Sequence, residues 1–142
     1  MKRNNNEVML LRKKVIDDAI VKNFRQYFIG NLSKPQELNY ITLGDLEIGS
    51  SLYQYPKADK PHFHERSSEI IYILDGTYKV LILDTGKEYT LNVGDFFVIP
   101  AKSPYIGKAT KKMTQTLFVK MGGNDKIEVK ENENMLKWMN EF

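Results

Sequence analysis

The only two histidines of the chain stand two residues apart in the segment Pro61-His62-Phe63-His64-Glu65-Arg66-Ser67-Ser68-Glu69. In an extended strand, side chains i and i+2 project from the same face. His62 and His64 therefore point the same way if this segment is a strand, and Glu69 arrives from the stretch that follows. Two imidazoles and one carboxylate make a ligand face that leaves positions open on a metal ion. The competing reading is two surface histidines beside a surface glutamate, and the concentration of both histidines at this one spacing argues against it. If Glu69 faces inward, Ile71 and Ile73 share its face, while Ile70, Tyr72 and Leu74 take the other. Such an apolar lining makes a charge on Glu69 costly unless it is paired or metal-bound, although a hydrogen-bonded neutral acid satisfies the same requirement.

The elements that would carry these residues read as short strands. Apolar runs bounded by turn residues predict strands at 38–43, 46–54, 62–65, 69–75, 77–83, 87–92, 95–99 and 114–121. The breaks are Asp75-Gly76, Asp84-Thr85-Gly86, Gly94-Asp95 and Gly122-Gly123. Strands at this spacing predict an all-β sandwich or barrel rather than βαβ units. Residues 1–36 form an ambiguous lead-in, with Val15, Ala19 and Ile20 at helical spacing and a turn at Asn31-Leu32-Ser33-Lys34-Pro35. Near the end, Met135, Trp138, Met139 and Phe142 fall at i, i+3, i+4 and i+7, predicting a short helix with Asn132 or Asn134 as its N-cap.

Composition narrows the function classes. A chain of 142 residues is the size of one domain. Its net charge of +3 comes from scattered lysines rather than a basic stripe with interleaved aromatics, which argues against nucleic acid as a partner. There is no cysteine, hence no disulfide, thiolate ligand or cysteine nucleophile. The apolar run Val8-Met9-Leu10-Leu11 is too short for a signal core and no segment suits a membrane span, so a cytoplasmic location without a membrane partner is expected.

On these residues the chain resembles the cupin superfamily. The first cupin motif, G-x5-H-x-H-x(3,4)-E-x6-G, is matched by His62, His64, Glu69 and Gly76, with Pro56 in place of the leading glycine. The second, G-x5-P-x-G-x2-H-x3-N, begins with Gly94 and Pro100 and then departs from the pattern. Lys102 stands for the glycine, Tyr105 for the histidine that is the fourth metal ligand, and Ala109 for the asparagine. The resemblance spans about residues 40–122. It implies an all-β double-stranded β-helix, the cupin jelly-roll barrel, over residues 37–123. An N-terminal extension (1–36) would precede it, and a tail with a short helix (124–142) would follow.

It also implies a divalent ion (Fe, Mn, Zn or Ni) held by His62, His64 and Glu69, weakly and exchangeably because the histidine that would be the fourth ligand is missing. Tyr105 and Glu69 are the catalytic candidates. Three readings of Tyr105 stand open: a phenolate ligand, a proton or hydrogen-bond donor beside a three-ligand ion, or a wall residue. Lys102, on a loop at the barrel rim, either receives an anionic substrate or is simply exposed. The expected ligand is a small polar molecule, and likeness to small stand-alone cupins favours carbohydrate-related chemistry. The activity would be that of a sugar isomerase, epimerase or lyase. The alternatives are a non-haem metal dioxygenase and a non-catalytic ligand-binding module. Apolar residues at both ends, among them Phe24, Tyr27 and Phe28, predict a homodimer, against the competing outcome that both ends cover their own barrel.

Overall fold

Strand β5 (Ser68–Asp75) shows how alternation builds this molecule: Glu69, Ile71 and Ile73 are buried, while Tyr72 and Leu74 are exposed. The computed structural model describes residues 1–123 and 125–142, so the expected start of the tail at residue 124 lies outside the described residues. The same period of two repeats in β10 (Thr114–Met121), which buries Thr114, Thr116, Phe118 and Lys120. Both strands belong to one antiparallel sheet, ordered β1 (Arg25–Ile29), β2 (Leu46–Tyr53), β10, β5, β8 (Phe96–Ile99). The opposing sheet is ordered β11 (Lys126–Glu128), β4 (His62–His64), β9 (Tyr105–Ala109), β6 (Thr77–Ile82), β7 (Glu88–Asn92), and β3 (Lys57–Ala58) pairs with β9. Between the sheets lies an apolar core that includes Ile71, Ile73, Val80, Leu91 and Ile99. Full burial of such side chains is worth about 1.5–3 kcal/mol each. The mixture of two facing antiparallel sheets is the expected double-stranded β-helix.

The turn at Asp75-Gly76 does not close a hairpin. It is the corner where the chain leaves the first sheet for the second, since β5 pairs with β10 and β8 whereas β6 pairs with β7 and β9. Gly76 has φ +75°, and a Cβ there would press on the Thr114 backbone, so only glycine fits the corner.

Several elements differ from the sequence expectation. Residues 25–29 add an edge strand, β1, although they precede the expected barrel. Residues 38–43 form no strand and contribute only isolated bridges, Tyr40 to Lys2 and Ile41 to Ile29. Side chains replace the missing ladder: Gln36 bonds both the N–H and the C=O of Tyr27, and Gln26 accepts from the Leu38 amide. Strand β9 escaped prediction because all five of its residues are buried, which erases alternation.

Both ends fold onto their own chain. Helix α1 (Lys13–Lys22) buries Ala19 and Ile20. Phe24 packs against Tyr53, and Tyr27 meets Phe118 edge-on. Helix α2 (Glu133–Asn140) starts at Asn132, whose side chain accepts from the Met135 amide at 2.9 Å. The buried Lys108 ammonium donates to the Trp138 and Glu141 carbonyls and lies 3.9 Å from the centre of the Trp138 ring. A cation at the carbonyl end of a helix also complements its dipole. Both ends thus pack on their own chain, while Leu136 and Phe142 stay exposed. Among the described residues no helix is long and apolar enough to cross a membrane.

Candidate metal centre

The short strand β4 buries His62 and His64 and turns Phe63 outward, as period two requires. Strand β5 brings Glu69 to them from the opposing sheet, and one ligand atom from each of the three lies within 4.8 Å of the others. Each imidazole is fixed by its Nδ1. That of His62 is 2.8 Å from the Lys60 carbonyl, which only accepts, so Nδ1 carries the proton and Nε2 keeps its lone pair. That of His64 is 3.2 Å from the Asp125 carboxylate, which fixes the same tautomer. Burial lowers the His62 pKa, favouring the neutral ring that binds metal.

The Nε2 of His64 is buried without a hydrogen bond, 3.4 Å from Glu69 Oε2. A lone pair facing a carboxylate oxygen is unfavourable unless a proton or a metal cation lies between them. A divalent ion satisfies both, together with His62, so the residues present fit a metal.

Tyr105, paired in register with His62, packs its ring 4.6 Å from that imidazole and donates its hydroxyl to Glu69. Burial and the adjacent Glu69 charge raise the Tyr105 pKa well above the usual phenol range. In the metal-free site Tyr105 is therefore a protonated donor to Glu69. Burial works against the Glu69 anion. The neighbouring His64 ring, the Tyr105 hydroxyl and the charge of Lys120 outweigh it, so the Glu69 pKa is lowered and the acid is ionised rather than neutral. Lys120 lies directly opposite Glu69 in the β5–β10 register, and it also approaches Glu47 at 3.4 Å.

These groups line one end of a cavity of about 370 Å³. Further along, Asp59 accepts from the Tyr53 hydroxyl at 2.6 Å and the Tyr78 hydroxyl at 2.8 Å. Gly107 makes room for the second phenol, since a Cβ there would overlap the Tyr78 oxygen. Arg25 reaches the same cavity from β1. Lys102 does not line it: its side chain is exposed, and it serves through its backbone, donating to the His64 carbonyl at 2.7 Å. Its φ of +63° explains why the second motif places glycine here.

A family model described as the cupin domain matches residues 51–120. The chain belongs to the cupin superfamily. This cupin is 26% identical over 94 residues to germin-like protein subfamily 2 member 2 of Arabidopsis thaliana, covering 52% of the chain and 42% of that relative, so it spans less than half of the relative's length. KdgF from Halomonas sp. superposes with a TM-score of 0.54 at 22% identity, over 71% of this chain and 79% of KdgF. DMSP lyase DddQ from Ruegeria pomeroyi gives 0.58 at 19% identity, over 74% and 49% of the respective chains. At these identities the likeness establishes the fold.

Arg25 and Asp125 lie outside the stretch matched to the cupin domain, and sequence reasoning missed both. Asp125 follows Gly122-Gly123 with no periodic signal. Asp59 was missed as well, sitting in a polar stretch that reads as a loop.

Proposed function

We propose that this cupin binds a divalent metal ion through His62, His64 and Glu69 and acts on a small, polar, carbohydrate-type ligand as an isomerase, epimerase or lyase. The observation that carries the reading is the unpartnered Nε2 of His64, held toward Glu69 by the tether of its Nδ1 to Asp125. When bound, such an ion polarises a carbonyl or hydroxyl oxygen of the ligand.

The chain's own groups divide the remaining work. Glu69 stays anionic and sets the charge of the centre. Tyr105 keeps its proton at Oη beside Glu69, where it can donate to a ligand oxygen that gains negative charge. Tyr53 and Tyr78 hold Asp59, leaving a polar wall suited to ligand hydroxyls between apolar faces such as Ile71 and Phe118. Fold neighbours named as a lyase and as an oxalate decarboxylase illustrate that this barrel hosts small-molecule chemistry.

Metal titration into chelated protein tests the centre. One ion per chain is expected, with binding abolished by His64→Ala, and unchanged binding in that variant rejects the site. Loaded protein is then incubated with aldoses, ketoses and sugar acids in D2O, and exchange at the carbon beside the carbonyl is followed by NMR. Oxygen uptake by the iron-loaded protein without such exchange would favour the dioxygenase reading, to which the same three-ligand face is suited.

A further inference from the structure

The cavity has a second pole that the metal ligands do not explain. Arg25 enters from β1 and is clamped on three sides. Its Nε donates to Ser51 Oγ at 2.9 Å, and its guanidinium carbon lies 5.0 Å from the centre of the Phe24 ring and 5.6 Å from that of Phe118. Among the described residues this is the only hydrogen bond from its side chain. Nη2 comes no closer than 4.0 Å to Asp59 Oδ1, beyond hydrogen-bond distance, and Asp59 already accepts from two tyrosines through its other oxygen. The terminal nitrogens of a guanidinium held this rigidly form a planar fork of donors, the geometry that meets a carboxylate with two parallel hydrogen bonds.

The charge balance points the same way. Five lysine and arginine side chains line the cavity against two carboxylates, Asp59 and Glu69. A divalent ion on the three ligands would add to the positive excess. Lys57, Lys60 and Lys126 are solvent-exposed and Arg25 and Lys120 lie deeper, and this positive excess attracts an anion to the cavity.

We infer that Arg25 is the anchor of a carboxylate subsite, and that the ligand of this cavity is a small hydroxylated carboxylate. Its acid group would meet the Arg25 fork, and its hydroxyls would meet the wall around Asp59. The assignment rests on reading the cavity as a small-ligand site, but it requires no bound ion.

The test is calorimetric titration of the metal-free protein with gluconate, glucose and glucose 6-phosphate. Gluconate should bind with a Kd of roughly 1 mM or tighter and glucose should not. Arg25→Gln should weaken gluconate binding by at least about tenfold and Arg25→Lys by a smaller factor, because a lysine keeps the charge and loses the fork. Lys102→Ala, at an exposed side chain outside the cavity, should bind gluconate as the wild type does, and because the titration is run without metal, a failure of ion binding alone leaves the subsite standing. The inference is overturned by gluconate binding that survives Arg25→Gln, by equal binding of glucose, or by no gluconate binding. Tighter Arg25-dependent binding of glucose 6-phosphate would overturn it in favour of a phosphate. Circular dichroism checks folding of each variant, and Arg25→Lys carries the comparison if Arg25→Gln does not fold.

Discussion

Asp125 holds His64 from behind. Its Oδ1 is 3.2 Å from Nδ1 of the imidazole, while Oδ2 accepts from the Arg66 and Ser67 amides, the latter at 3.0 Å. One carboxylate therefore ties the histidine to the loop between β4 and β5 and fixes its tautomer. Removing such a partner from a metal-ligating histidine weakens metal binding by roughly 10- to 100-fold. Asp125→Ala should show that loss in a metal titration while retaining one site per chain.

The same residue predicts an acid dependence of stability. Burial opposes ionisation of Asp125, but the Arg66 and Ser67 hydrogen bonds and the imidazole lower its pKa from 3.8 to about 2. A folded-state pKa below the unfolded value stabilises above the unfolded value and loses that stabilisation as pH falls through the folded one. Thermal unfolding of metal-free protein should show wild type more stable than Asp125→Asn near neutrality. The difference should shrink below about pH 4 and vanish near pH 2.

Tyr105 offers a pair of opposed substitutions. Tyr105→Phe preserves the ring against His62 but leaves the buried Glu69 anion short of a donor, at a cost of about 1–3 kcal/mol in chemical denaturation of the metal-free protein. Tyr105→His supplies a third imidazole, and so a fourth ligand, beside His62, His64 and Glu69. It should tighten divalent metal binding by about an order of magnitude, and no change would make position 105 a wall.

Trp138 is the only tryptophan, so its fluorescence reports the docking of α2 alone. Lys108→Ala removes the cation under its ring and the donors to the last helical carbonyls. Emission should shift to the red, and limited proteolysis should cut the tail faster while the barrel resists.

The outer face of the β5–β8 pair leaves Tyr72, Leu74, Phe96 and Val98 exposed, with Tyr72 and Phe96 directly paired. Because both chain ends are spent on their own barrel, this face is where a homodimer would form. Light scattering at micromolar concentration should give about twice 16.5 kDa, and Phe96→Lys should return it to the single-chain mass.

Period-two alternation and two histidines at i, i+2 were enough to place His62, His64 and Glu69 on inward faces, because side-chain direction in a strand follows from local geometry alone. The turn residues likewise marked where strands end, and the i, i+3, i+4 stripe found α2. Local pattern did not show that Asp75-Gly76 is a corner between sheets, since a turn looks the same whichever strand it feeds. Strand β9 was hidden because burial of all five of its residues, with Lys108 against the Trp138 ring, removes alternation. Asp125 joins His64 across 61 residues and Arg25 joins Asp59 across 34, and neither pair leaves a periodic trace. Which ligands converge was decided locally by spacing; what orients them, charges the cavity and covers the barrel was decided only when the closed sheets brought distant side chains within hydrogen-bonding and ion-pairing range.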